Sequence, residues 1–154
     1  MGLIIRSSAI HAAGCYTTTP VRKGQRVVEY SGPRMSKKDA DRIYEDSPVT
    51  YLFGLQDGRT VIDGHSAAMF INHSCDPNCE TVEVSGRIWI KYIRPIAAGE
   101  EITYDYHLYD GSEDEALCNC GANSCRGSMY SKGELRKRKV AAKKGKKLPA
   151  NPKR

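Results

Sequence analysis

The 154-residue sequence predicts a mainly β domain. Three observations point there: short runs rich in branched and aromatic residues, Gly- or Pro-containing turn signals between those runs, and little that reads as helix. The length fits one domain with room for a buried core.

Taken in order, Leu3-Ile4-Ile5-Arg6-Ser7 and Arg26-Val27-Val28-Glu29-Tyr30 read as strands, because branched side chains crowd a helical turn but sit well on a pleated surface. Between them, Ala9-Ile10-His11-Ala12-Ala13-Gly14-Cys15-Tyr16 offers small residues where backbone could closely approach a ligand, and Lys23-Gly24 makes a turn. Ser36-Lys37-Lys38-Asp39 resembles a capping box and predicts a short helix over 37–45, closed by Ser47-Pro48. Tyr51-Leu52-Phe53-Gly54-Leu55 and Thr60-Val61-Ile62-Asp63 form a hairpin through Asp57-Gly58. One helical turn is predicted over 66–70. A second hairpin joins 81–84 and 87–93 around Ser85-Gly86, with Ile88-Trp89-Ile90 predicting burial on both faces. Pro95 to Gly99 turns the chain into a last strand over 101–106. Residues 110–115 form an acidic loop, and no internal repeat is visible.

The net charge of +6 hides an asymmetry. Residues 131–154 hold eleven Lys or Arg against one acid, Glu134, a net +10; the other 130 residues, with 13 basic and 17 acidic groups, carry −4. That tail, almost without large apolar residues, is predicted to be disordered when free. No apolar run is long enough to span a membrane, and Leu3-Ile4-Ile5 is too short for a signal-peptide core. Arg6 stands where a myristoylation motif needs Ser or Thr. The expectation is an intracellular, reducing compartment, where cysteines more often bind metal or react than pair.

Chemistry concentrates in Phe70-Ile71-Asn72-His73-Ser74-Cys75-Asp76-Pro77-Asn78-Cys79: an amide, an imidazole, a soft metal ligand and a sharp turn. Two later stretches join it, Gly99-Glu100-Glu101-Ile102-Thr103-Tyr104-Asp105-Tyr106 and Cys118-Asn119-Cys120-Gly121-Ala122-Asn123-Ser124-Cys125. Cys118, Cys120 and Cys125 put three thiols within eight residues. A structural zinc takes four ligands, so three ask for a fourth from elsewhere; unrelated thiols or a redox pair are the other reading.

In this order, over residues 6–129, the three motifs resemble the SET-domain protein-lysine methyltransferases with a post-SET zinc segment, in a compact stand-alone form close to the trithorax and mixed-lineage-leukaemia branch. The resemblance implies the SET (β-clip) fold, in which a C-terminal strand threads beneath a loop as a pseudoknot and brings Tyr106 beside Asn72 and His73. It divides the chain into a SET domain over 1–110, a post-SET zinc segment over 111–130 and a basic tail over 131–154.

The resemblance also implies roles. Cys75 becomes the fourth ligand, with Cys118, Cys120 and Cys125, of one structural Zn2+. S-adenosyl-L-methionine is contacted by His11 and the backbone of Ala13 at its methionine end, by Tyr51 and by Asn72 and His73, with Asn119 capping the adenine. Tyr106 matches the catalytic tyrosine and Tyr104 the Phe/Tyr switch position, where a hydroxyl favours monomethylation. Both project from one face of a strand. The pattern departs in two places. Ala12-Ala13-Gly14 replaces Gly-x-Gly, where an alanine fits if its φ is negative, and His65-Ser66 and Met69 replace the Gly-Asn and Arg that precede Phe-Ile-Asn-His. Cys15 reads as a packing residue, and Cys79 has no assignment.

The implied substrate is the ε-amine of lysine in a basic, histone-like protein or peptide, which suits the acidic domain. The tail can be read as a nucleic-acid tether, a nuclear import signal, a target for self-methylation or a solubilising end. The compartment is then a nucleus, or a nucleoid and cytoplasm. Some relatives carry a Cys-rich segment before the domain; its absence here leads to the expectation that the first strand is stabilised otherwise, by a homodimer. Two rivals stand beside the enzyme: a catalytically weak SET-like module that binds nucleic acid or chromatin through its tail, and a zinc-dependent redox or scaffold protein.

Overall fold

The computed structural model describes residues 2–45, 47, 51–109 and 116–144. β1 (Leu3–Ser7) pairs antiparallel with β2 (Ala13–Thr17), Ile5 opposite Cys15. β2 falls in the stretch read only as small residues where backbone could approach a ligand, with no strand assigned: it has few branched side chains, and its strand character comes from pairing and from the burial of Cys15, Tyr16 and Thr17. β3 (Arg26–Tyr30) leads to β4 (Arg34–Ser36), which the sequence reading passed over, and α1 (Lys37–Ile43). The Ser36 hydroxyl caps α1 by accepting the Asp39 N–H at 3.0 Å. The helix stops short of the expected 37–45 because it buries little beyond Ala40.

β5 (Leu52–Gly54) and β6 (Thr60–Asp63) form the expected hairpin, with β4 on the other edge of β6. The Asp57 carboxylate accepts the Thr60 hydroxyl at 2.6 Å and the N–H groups of Thr60 and Arg59 at 2.8 Å, which hold its pKa down at about 2. A 3-10 turn, Ala67–Phe70, then delivers the chain into β7 (Asn72–His73). β8 (Cys79–Val84) and β9 (Arg87–Tyr92) make the second hairpin. Only one face of β9 is buried, which corrects the sequence reading: Ile88 and Ile90 point into the core, whereas Trp89 is half-exposed between the guanidinium groups of Arg26 and Arg87, each 4.9 Å from its ring.

The arrangement that positions the site involves β10 (Thr103–Tyr104). The larger sheet has the order β3-β9-β8-β10-β7, with β10 parallel to both neighbours. Since β7 and β8 are joined directly by residues 74–78, that connection bridges over β10, and the late strand is held beneath it. The Asn78 side chain fastens the crossing: its amide donates to the Glu101 carbonyl at 2.7 Å, and its oxygen accepts the Thr103 N–H at 2.9 Å. The Ser74 N–H donates to the Tyr104 carbonyl at 3.2 Å. Asn78 is 3% exposed, so each of these bonds satisfies a group that water cannot reach. The strand is shorter than the 101–106 expected, and Tyr106 lies just past its end.

The core beneath is built on Ile62, Ile71, Ile88, Ile90, Tyr92 and Ile102, with Cys15 and Cys79 packed inside it. Burial raises the Cys15 thiol to about 11 and pushes Cys79 up as well, so both behave as small apolar groups. The expected disorder of the tail is overturned for its first half: α2 (Lys132–Lys143) is a helix. Ser131 and Glu134 supply the cap signature that went unread, the hydroxyl accepting the Glu134 N–H at 3.1 Å. Arg138, one turn on, donates to the Glu134 carboxylate at 3.0 Å and lies 3.8 Å over the Tyr130 ring. No helix among the described residues is long and apolar enough to cross a membrane. The acidic loop at 110–115 and the tail beyond 144 lie outside the described residues.

Candidate active site and metal centre

A cavity of about 540 Å3 opens where the β1–β2 loop, the 3-10 turn, β7, β10 and the segment at 116–119 meet. That volume is in the range of small-molecule sites. His11, Ala13, Tyr51, Asn72, His73 and Asn119, together with Tyr104 and Tyr106, all line it. Residues scattered over more than a hundred positions of sequence are thus gathered on one hollow by the threading of β10.

The Asn72 amide nitrogen faces four acceptors: the Glu101 carboxylate at 2.8 Å, the Ala13 carbonyl at 3.0 Å, the Ser8 hydroxyl at 3.2 Å and the His11 carbonyl at 3.4 Å. An NH2 group has two hydrogens, and the two short contacts take them, so Asn72 fixes the backbone of the β1–β2 loop against β7. Glu101 completes the frame by accepting from the hydroxyls of Ser8 at 2.8 Å and Tyr16 at 3.0 Å. Gly14 is required here, because an added Cβ would collide with the Glu101 carboxylate. The condition set for Ala12 is not met: its φ is +36°, in the left-handed region that favours glycine. The loop therefore holds a non-glycine residue in a left-handed conformation at some cost in strain.

His73 is 3% exposed, and burial lowers its pKa to about 4. Its Nδ1 accepts the Tyr106 N–H at 3.1 Å, which places the proton of the neutral ring on Nε2, 3.4 Å from the Cys75 sulfur. Both ring nitrogens are used inside the protein, so His73 presents its ring face and backbone to the cavity. The Tyr106 hydroxyl donates to the Ile71 carbonyl at 2.8 Å, and the Tyr104 and Tyr106 ring centroids are 4.8 Å apart. Burial pushes both phenols above their usual pKa, so they are neutral hydrogen-bonding groups at physiological pH. Tyr30, read from the sequence only as the end of a strand, forms another wall and donates to the Tyr51 carbonyl at 2.7 Å.

Behind His73, the sulfur atoms of Cys75, Cys118, Cys120 and Cys125 all lie within 4.8 Å of one another. Backbone N–H groups point at three of them: Arg126 to Cys75 at 3.3 Å, Cys75 to Cys120 at 3.5 Å and Gly127 to Cys125 at 3.4 Å. Such donors suit thiolates. Burial opposes charge on Cys120, but the N–H groups of Cys75 and Ala122 and the neighbouring thiols outweigh it and bring the pKa to about 6. Four thiols in this geometry, fed by N–H donors, fit one tetrahedral zinc ion.

The thiol cluster is tied to the tyrosines by Asp105, whose carboxylate pairs with both terminal nitrogens of Arg126, at 2.8 and 2.9 Å. The pair is 13% and 12% exposed. The sequence held a signal for it: between two channel-facing tyrosines, the alternation of a strand turns Asp105 the other way, where a buried carboxylate needs a cation. Asp105→Asn keeps the shape but leaves Arg126 uncompensated. The expected cost is about 3 kcal/mol, read as a lowered urea midpoint; a shift worth less than about 0.5 kcal/mol, as for an exposed pair, would contradict it. Ser8, Tyr16, Glu101 and Asn78 also went unrecognised, Asn78 having been read only as a turn residue.

Comparison with known proteins gives a consistent neighbourhood. A family model described as SET domain matches residues 12–107. Among curated relatives, "Histone-lysine N-methyltransferase, H3 lysine-4 specific" of Eremothecium gossypii is 40% identical over 136 residues, covering 79% of this chain and 14% of that protein. "Histone-lysine N-methyltransferase trithorax" of Drosophila virilis is 40% identical over 131 residues, covering 77% and 3%. "Histone-lysine N-methyltransferase SETD1" of Drosophila melanogaster is 40% identical over 135 residues, covering 79% and 8%. The chain thus spans only a small part of the length of these relatives.

Proposed function

The chain belongs to the SET-domain family, and from that premise we propose that it is a protein-lysine N-methyltransferase that uses S-adenosyl-L-methionine on a basic, histone-like protein. One observation carries the reading: every residue expected to touch cofactor or substrate lines a single cavity, backed by four clustered thiols. The printed names of the relatives support the choice of a histone as substrate. So does the negative charge of residues 1–130. Work on such a substrate takes place at chromatin, in a nucleus or nucleoid.

S-adenosylmethionine supplies an electrophilic methyl group on a sulfonium. His11, Ala13, Tyr51, Asn72, His73 and Asn119 would hold it, the Asn72–Glu101 frame fixing the loop that meets its methionine end. Tyr30, Tyr104 and Tyr106 wall the space where lysine would enter. Desolvation in a narrow channel and repulsion by the nearby sulfonium both disfavour the ammonium form of lysine, whose free pKa is about 10.4. The neutral Tyr106 hydroxyl, held by the Ile71 carbonyl, is poor as a base and well suited to orientation, and carbonyl oxygens nearby can align a methyl group through weak C–H···O contacts. The zinc ion, held by Cys75, Cys118, Cys120 and Cys125, would act as a staple that keeps Asn119 against the cavity.

Incubation with labelled cofactor and a histone mixture tests the function, with transfer of label to lysine as the expected result. Replacing Tyr104 by Phe removes one hydroxyl from the enclosed end of the channel and makes room for added methyls. Mass-resolved products are expected to move from mono- towards di- and trimethyl-lysine; an unchanged distribution would remove Tyr104 from that role. The left-handed backbone at Ala12 favours one other reading, a catalytically weak module that binds without turnover; absent transfer despite cofactor binding would select it. A homodimer would use β1, an edge strand that exposes Ile4 and Ile5.

A further inference from the structure

The helix α2 carries its charges in order. Lys132, Arg136, Lys139 and Lys143 are all exposed, and their spacing of i, i+4, i+7 and i+11 puts them on one face. The opposite face carries Glu134, which is buried, and Arg138 and Ala141, which are half-buried. Glu134, the one acid on the helix, is occupied by Arg138 at 3.0 Å and approached by Lys137 at 3.9 Å. Among the described residues, none of the four stripe cations is paired with an acid. The stripe runs about 16 Å at 1.5 Å per residue. Ser131 caps the helix, and Arg138 packs on the buried Tyr130 ring, so the charges are presented by an anchored rod.

We infer that this stripe is a binding site for the phosphate backbone of duplex DNA, which holds the chain to DNA independently of the methyl-transfer cavity. Four unpaired cations in a row demand a polyanion of regular spacing. The helix carries no aromatic residue, so it lacks the stacking platform that single-stranded nucleic acid uses. It also lacks an apolar face beside the stripe, Val140 being its one exposed large hydrophobic residue, which argues against a lipid surface. A straight α-helix fits the open major groove of B-form DNA and is excluded from the deep, narrow one of A-form RNA.

The test is fluorescence anisotropy of the full chain with a duplex of about 20 base pairs over a range of salt concentrations. In the variant K132Q/R136Q/K139Q/K143Q, the slope of log K against log salt is expected to fall by about 3.6, at 0.9 for each lost phosphate contact, with affinity weakened about 100-fold or more at low salt. Methyl transfer to a short peptide should stay unchanged. The control K146Q/K147Q/K153Q/R154Q removes the same charge beyond the helix and is expected to cost clearly less. Equal losses in the two variants would overturn the ordered stripe in favour of diffuse charge. Tighter binding to phosphatidylserine vesicles, or to single-stranded RNA, than to duplex DNA would overturn the choice of ligand, and no binding at low salt would overturn the site altogether.

Discussion

Tyr106→Phe is expected to lower methyl transfer by about two to three orders of magnitude, the usual cost of one preorganised hydrogen-bonding group, while S-adenosylmethionine binding changes by no more than a few-fold. The hydroxyl spends its proton on the Ile71 carbonyl at 2.8 Å, and its ring is held from behind by the neutral His73, 5.3 Å away centroid to centroid. The oxygen is therefore fixed, half-buried and uncharged, the state needed to position a reacting amine without taking a proton from it. Phenylalanine fills the same volume and keeps the stack on Tyr104, so packing should survive. Transfer rates and calorimetric binding measured on one preparation separate the outcomes. Undiminished turnover would refute Tyr106's role, whereas loss of both turnover and binding would mean that the ring, and not the oxygen, matters.

The second large effect is expected at Cys75. Cys75→Ser should abolish stoichiometric zinc binding and release the segment that carries Asn119, because one of four thiols is lost and with it the bond from the Arg126 N–H. Structural zinc contributes directly to folding, so removing a ligand should free this segment rather than merely loosen it. The β core around Ile88, Ile90 and Ile102 does not depend on the cluster and should stay folded. Limited proteolysis is expected to cut within residues 116–130 in the variant or after chelation, and to spare that segment in the zinc-loaded protein. Equal resistance in both would show that the thiols do not staple the segment.

Much of the site was legible because its chemistry is local: Asn72, His73 and Cys75 sit in one motif, Tyr104 and Tyr106 in another, three cysteines in a third. What escaped depends on contacts between distant segments. Glu101 looks like an ordinary acid at the start of a strand until the β1–β2 hairpin brings Ser8 and Tyr16 to it. Asn78 looks like a turn residue until β10 arrives beneath it. The strand β2 and the length of β10 were misjudged for the same reason: pairing across the fold decided them, not propensity. The error over the tail was different. Its composition argued for disorder, yet Ser131 and Glu134 are a local cap, Glu134–Arg138 a local pair, and Leu135, Ala141 and Ala142 good helix formers. The information was present in the sequence and was outweighed by charge.

The most direct test of the whole account is the affinity for S-adenosylmethionine measured against zinc content in one protein sample, titrated from metal-free to saturated. If the threaded motif and the four cysteines together build the cavity, binding should rise in step with metal and saturate at one zinc per chain. Full affinity in metal-free, folded protein, or no affinity at saturation, would contradict it.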